Sequence, residues 1–210
     1  MTTKNKFIVL LFSLLTIGCK SVVTVVPITE EEYKIYGTVL DSLHSDTLQY
    51  ILVITDSTAP NYFKSDARYF SEGKWFAPNE LEKARRADSS MTNSDFDELS
   101  NNYEFMNEQK FYIRLSSINT LRKLKQVTSD SLKRIFEIDQ SRNWVLFHKM
   151  FPNSVGLIRL SRVGFNLQKN RAVLFMSCTN GGLDGTGTYI ILRKSGLSWQ
   201  ISATAEDWVS

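Results

Sequence analysis

Ala172-Val173-Leu174-Phe175-Met176-Ser177-Cys178, Thr188-Tyr189-Ile190-Ile191-Leu192-Arg193 and Trp199-Gln200-Ile201-Ser202-Ala203 are rich in β-branched, aromatic and large apolar residues and are separated only by turn-rich links. With Val155 to Leu160 ahead of them, they make four strand-like runs in succession. Consecutive elements tend to neighbour one another, so sequential antiparallel pairing is the economical topology. The link Asn180-Gly181-Gly182-Leu183-Asp184-Gly185-Thr186-Gly187 is glycine-rich, as phosphate-binding loops are. No Lys-Ser/Thr follows its glycines, however, and it leads into a strand and not a helix N-terminus. It therefore reads as a hairpin connection with residues at positive φ, and Lys194-Ser195-Gly196-Leu197 reads as a second, tighter hairpin.

Upstream, the pattern turns helical. Thr29 with Glu32 three residues on fits a capping box, and Tyr33, Tyr36, Leu40 and Leu43 recur at helical spacing, which predicts a helix over about 30–44. Gln49 to Thr55 reads as a buried strand. From Asn61 to Asn107 the periodicity fades, with short helices expected at Asn79–Ala87 and Ser94–Leu99. Phe111 to Leu115 regains strand character, and Asp130 to Ile138 reads as a helix capped by Ser129 or Thr128. Trp144, Phe147 and Phe151 follow at spacings of three and four, the pattern of a packing stripe. The class expected is α+β: an N-terminal helix and short helices on a C-terminal antiparallel sheet of about four to five strands, all in one domain over 29–210.

The 210 residues, 42% hydrophobic and 22% charged, suffice for one modest core. At the N-terminus, Lys4 and Lys6 precede an apolar stretch from Phe7 to Ile17 that closes on Gly18 and Cys19. This is the order of an export signal, and the stretch is shorter than the ~20 residues a membrane-spanning helix needs. Leu15-Thr16-Ile17-Gly18-Cys19 resembles the bacterial lipobox, departing from it at Thr16, where Leu is usual. That resemblance implies a signal peptide over 1–18, a lipidated Cys19 and a tether over 19–28. Palmitate-type acyl chains gain about 0.8 kcal/mol per buried methylene and would hold the protein at a membrane. Without Lys4 and Lys6, the 25 Lys+Arg fall to 23 against 22 Asp+Glu, which gives no footprint for nucleic acid. Lys20 after the Cys favours the outer over the inner membrane of the cell envelope. The other cysteine, Cys178, lies in an apolar run with no basic cluster to activate it and reads as a structural thiol.

Trp144 with Phe147, Phe151-Pro152-Asn153-Ser154, Leu160-Ser161-Arg162-Val163-Gly164-Phe165-Asn166, Gly185-Thr186-Gly187-Thr188-Tyr189, Trp199-Gln200-Ile201 and Trp208-Val209-Ser210 resemble a family of uncharacterised exported bacterial proteins, many of them lipoproteins. The Glu32-Tyr33 helix and the Leu52-Val53-Ile54-Thr55-Asp56 strand extend the resemblance across most of the mature chain. It implies an envelope location and no particular activity. Family members often carry further cysteines in the glycine loop, and this chain has Cys178 alone. At the level of fold only, Gly196 to Ile201 is similar to the closing strands of the nuclear-transport-factor-like (NTF2-like) α+β cone.

Candidate chemistry is sparse. His44 and His148 are the only imidazoles, which excludes a multi-His metal site; no cofactor motif is present. His44 at the end of the first helix complements its dipole. His148 acting as base with Ser161 or Asp184 would make an envelope hydrolase, although no Ser stands in a nucleophile-elbow pattern. Arg162 is a candidate anion ligand, with Gly164 and Asn166 supplying unusual φ for a strand-end turn. The reading preferred is a lipid-anchored envelope protein that binds a protein or small-molecule partner. A hydrolase and an inhibitor or immunity-like protein are the alternatives.

Overall fold

The computed structural model describes residues 26–43, 50–59, 77–137 and 143–210. The signal and lipid site at residues 1–25 and His44 lie outside the described residues. No helix among the described residues is long and apolar enough to cross a membrane.

The protein is α+β. Five α-helices are described: α1 (Glu30–Asp41), α2 (Ala77–Ala87), α3 (Asn93–Met106), α4 (Ser129–Glu137) and α5 (Asn143–Met150). They pack on a seven-stranded sheet of β1 (Ile51–Thr55), β2 (Lys123–Val127), β3 (Ser154–Leu160), β4 (Gly164–Phe165), β5 (Arg171–Gly181), β6 (Asp184–Ser195) and β7 (Ser198–Val209). The order is β2-β1-β3-β5-β6-β7, with the short β4 paired to β5. The C-terminal run is antiparallel, as its hairpins require. The sheet is nevertheless larger than the four to five strands expected, and it is mixed, because β1 pairs in parallel with both β2 and β3. At the edge, β2 is Lys-Leu-Lys-Gln-Val, whose exposed lysines hide its strand character while protecting the edge from further pairing.

Side chains explain where local expectation and structure part. Phe111–Leu115 is not a strand: Tyr112 makes one bridge to Ser57, and a 3-10 turn follows at Leu115–Ser117. Side chains take up the backbone groups there, with Gln126 donating to the Ile113 carbonyl and the Tyr33 hydroxyl accepting from Arg114 N–H. The capping box on α1 forms as expected between Thr29 and Glu32, and Thr128 accepts from Ser131 N–H at the start of α4. Another box, Thr92 with Asp95, starts α3, which runs well past Leu99 to Met106.

Alternation along the strands sorts the core. One face of the sheet carries α1, with Ile35, Tyr36, Val39 and Leu40 on Leu52, Ile54, Ile158, Leu160, Leu174 and Leu192. The opposite face is divided. There α2 and α3 cover Val173, Phe175, Tyr189 and Ile191, while α4 and α5 cover Val53, Val127 and Leu157. The stripe of Phe147 and Phe151, with Trp144 beside it, belongs to the second cluster.

Two glycine expectations are corrected. The β5–β6 connection is a tight hairpin around Gly182 and Leu183, and no glycine of the loop has positive φ; Gly156 and Gly196 do. Gly187 instead makes room for Trp208, since a Cβ there would lie 2.2 Å from its Nε1 and 2.7 Å from Phe175 Cζ. Likewise neither Gly164 nor Asn166 has positive φ, and a Cβ on Gly164 would come within 2.7 Å of the Tyr103 backbone.

Candidate functional site

The segment Leu160 to Asn166 crosses from β3 to β4 under α3 and is the most polar part of the interior. Arg162, fully buried, donates from Nε to Glu32 Oε1 at 2.7 Å and from Nη2 to Oε2 at 3.0 Å. Its Nη1 donates to the Val26 carbonyl at 2.9 Å and Nη2 to that of Pro27 at 3.3 Å, and the guanidinium lies over Phe111 at 4.2 Å. Glu32 is equally buried and also accepts from Thr29 N–H at 2.9 Å, so the helix cap and the ion pair are one network. Arg162 thus spends its fork on Glu32 and on the end of the tether. These contacts leave it no fork for an anion from outside.

A row of side chains from α3 and its C-terminal cap, Asn107, holds the rest of the segment. Asn107 accepts from Arg162 N–H at 2.7 Å, Asn102 from Phe165 N–H at 2.8 Å, Glu98 from Leu167 N–H at 2.9 Å and Asp95 from the Asn166 amide at 2.9 Å. Backbone groups that no strand ladder satisfies are paired here by side chains, which removes the penalty of burying them. A second buried pair, Arg171 Nη1 with Asp88 Oδ2 at 2.5 Å, fastens β5 to the end of α2.

The proposed hydrolase residues are separated by their own partners. Ser161 is 2% exposed; its hydroxyl donates to the Arg162 carbonyl and accepts from Phe175 N–H, both at 2.8 Å. His148, on α5, places Nε2 3.0 Å from the Asn180 carbonyl. Asp184, exposed at the hairpin, accepts from Asn180 Nδ2 at 3.1 Å. His148 and Asp184 share Asn180 as a neighbour, and neither hydrogen-bonds Ser161. Cys178 is free, and burial pushes its thiol up, away from the reactive thiolate. Among the described residues no three His, Cys, Asp or Glu side chains converge on a point that could hold a metal ion.

A site that sequence reasoning passed over is a cleft of about 170 Å³ on the divided face, between α4 and α5 on one side and the end of β7 on the other. Arg159 and Leu157 of β3 and Ser177 and Thr179 of β5 form its floor. Phe136 and Trp144 wall one side, and Trp208 and Ser210 the other. Arg159 was hidden inside the apolar run Val155–Leu160. Its signal is positional: it shares a face with Leu157, where a core residue belongs.

Compared with protein-family models, curated proteins and solved structures, the chain gives no match.

Proposed function

We propose that this is a lipid-anchored envelope protein whose domain works by binding, held close to the membrane through Cys19. The observation that supports this reading is the clamp on Val26 and Pro27: the buried Arg162–Glu32 pair grips the last residues of the proposed tether. Only residues 20–25 then separate the acylated Cys19 from a fixed point on the domain. Seven Cα steps reach about 25 Å at full extension, so the domain stays within its own diameter of the bilayer. The export-signal pattern and the lipobox resemblance supply the anchor, and the C-terminal resemblance to exported bacterial lipoproteins agrees with it.

Intact mass and membrane fractionation of the native protein beside Cys19→Ser test the proposal. The expected result is a mature species beginning at Cys19, heavier by its acyl chains and retained on membranes, with the variant released and still folded. A soluble, unmodified protein cleaved elsewhere overturns it.

A further inference from the structure

On the sheet face that carries α2 to α5, the inward strand positions are apolar at Val53, Leu157, Val173, Phe175, Tyr189 and Ile191. Between α4–α5 and the end of β7 that pattern breaks, and Arg159, Ser177 and Thr179 face inward together. Arg159 and Ser177 stand directly opposite each other in the β3–β5 register. Arg159 is half-buried, yet among the described residues neither its guanidinium nor the Ser177 hydroxyl has a hydrogen-bond or ion-pair partner. The other two arginines that point into the structure from this half of the sheet, Arg162 and Arg171, are each matched with a carboxylate. A cation drawn partly out of water with no counter-charge is a cost to the fold. Local rules of this kind are broken chiefly where function requires it.

The walls are aromatic and fixed. Trp144 meets Phe136 edge-on at 5.0 Å and Phe147 at 5.3 Å, so its ring cannot swing freely. Trp208 rests in the space left by Gly185 and Gly187. A bare inorganic anion would make no use of these rings. The guanidinium fork matches a carboxylate bidentately, and aromatic walls take up a flat ring face.

We propose that this cleft binds a small organic anion, a carboxylate borne on a ring, with the carboxylate on Arg159 and the Ser177 hydroxyl and the ring between Trp144 and Trp208. The inference rests on the reading of the domain as a binding module and specifies the class of its ligand.

The test is tryptophan fluorescence and thermal shift of the purified full-length protein titrated with phenylacetate, glucuronate, 2-phenylethanol and inorganic phosphate. Phenylacetate or glucuronate is expected to give a saturable change at about millimolar concentration or below, the range set by ligands of this size. Which of the two binds tells an aromatic from a sugar ring. The Arg159→Gln variant is expected to weaken that binding about tenfold or more, as loss of a charge-assisted pair does, with its melting temperature unchanged or raised. Ser177→Ala serves as a second variant and is expected to weaken binding severalfold. The proposal is overturned if 2-phenylethanol binds as well as the acids, if phosphate alone binds as tightly, if no ring carboxylate binds at about ten millimolar, or if Arg159→Gln binds like wild type. Membrane retention of Cys19→Ser is read independently, so failure at the cleft and failure of the anchor are told apart.

Discussion

Glu32→Ala puts the buried ion pair to the most direct test. The substitution leaves Arg162 with no carboxylate, in a place where its guanidinium has no access to water. Removing one partner of a buried pair costs about 3–5 kcal/mol, because the other charge remains desolvated. The same change deletes half of the α1 capping box, worth about 1 kcal/mol. The Val26 and Pro27 carbonyls and the Phe111 ring stay in contact with Arg162 and offset part of this loss. A net of about 3–4 kcal/mol follows, a large fraction of the roughly 5–15 kcal/mol by which domains are stable. In a chain this size that lowers the melting temperature by roughly 10 °C. Urea denaturation and calorimetry read the change, and limited proteolysis at the tether's bonds, over residues 20–26, reads its release. Replacing both partners by apolar residues, Glu32→Leu with Arg162→Met, is expected to recover much of the loss, since that removes the desolvated charge as well. A loss below about 1 kcal/mol for Glu32→Ala, with the tether still protected, would show that the pair is hydrated in solution and refute the reasoning.

The hydrogen bond from Lys194, with those from Lys34 and Trp199, lowers the Glu31 carboxyl to about 2, well below the usual carboxylate range. The folded protein holds this proton more weakly than the unfolded chain, so the contribution is complete above about pH 4.5 and fades as pH falls toward 2. Glu31→Gln should flatten the acid limb of the stability curve by roughly 1 kcal/mol after solvent screening, and an acid limb identical to wild type would contradict this. Gly187→Ala drives a methyl group into Trp208 and should destabilise by about 1–3 kcal/mol with a shift in tryptophan emission; an unchanged melting temperature would mean that Trp208 is not seated there.

What could be read from the residues alone divides along physical lines. The four C-terminal strands were legible because each is an apolar run bounded by turn residues, and α1 because its capping box is local. The strand β2 was not, because an edge strand showing lysines to water lacks the apolar signal. The length of α3 beyond Leu99 was also illegible: Asn101 and Asn102 look like loop residues until Phe165, whose N–H donates to Asn102, folds beside them. Ser161 and Arg162 were singled out for a nucleophile and an anion ligand, but their use is internal, and a partner 130 residues away cannot be inferred from spacing. Arg159 escaped notice because an otherwise apolar run hides a single polar position that only tertiary packing leaves uncovered.

Because Arg162 follows β3 while the residues it grips precede α1, the grip cannot exist until the chain between them has been synthesised and folded. On the proposed anchoring, an unfolded chain would hang from its acyl group on a long, loose leash, and folding would draw that leash in to residues 20–25. The distance from bilayer to domain would then report on completion of the fold: an immature or damaged copy would roam farther from the membrane than the finished protein, held short.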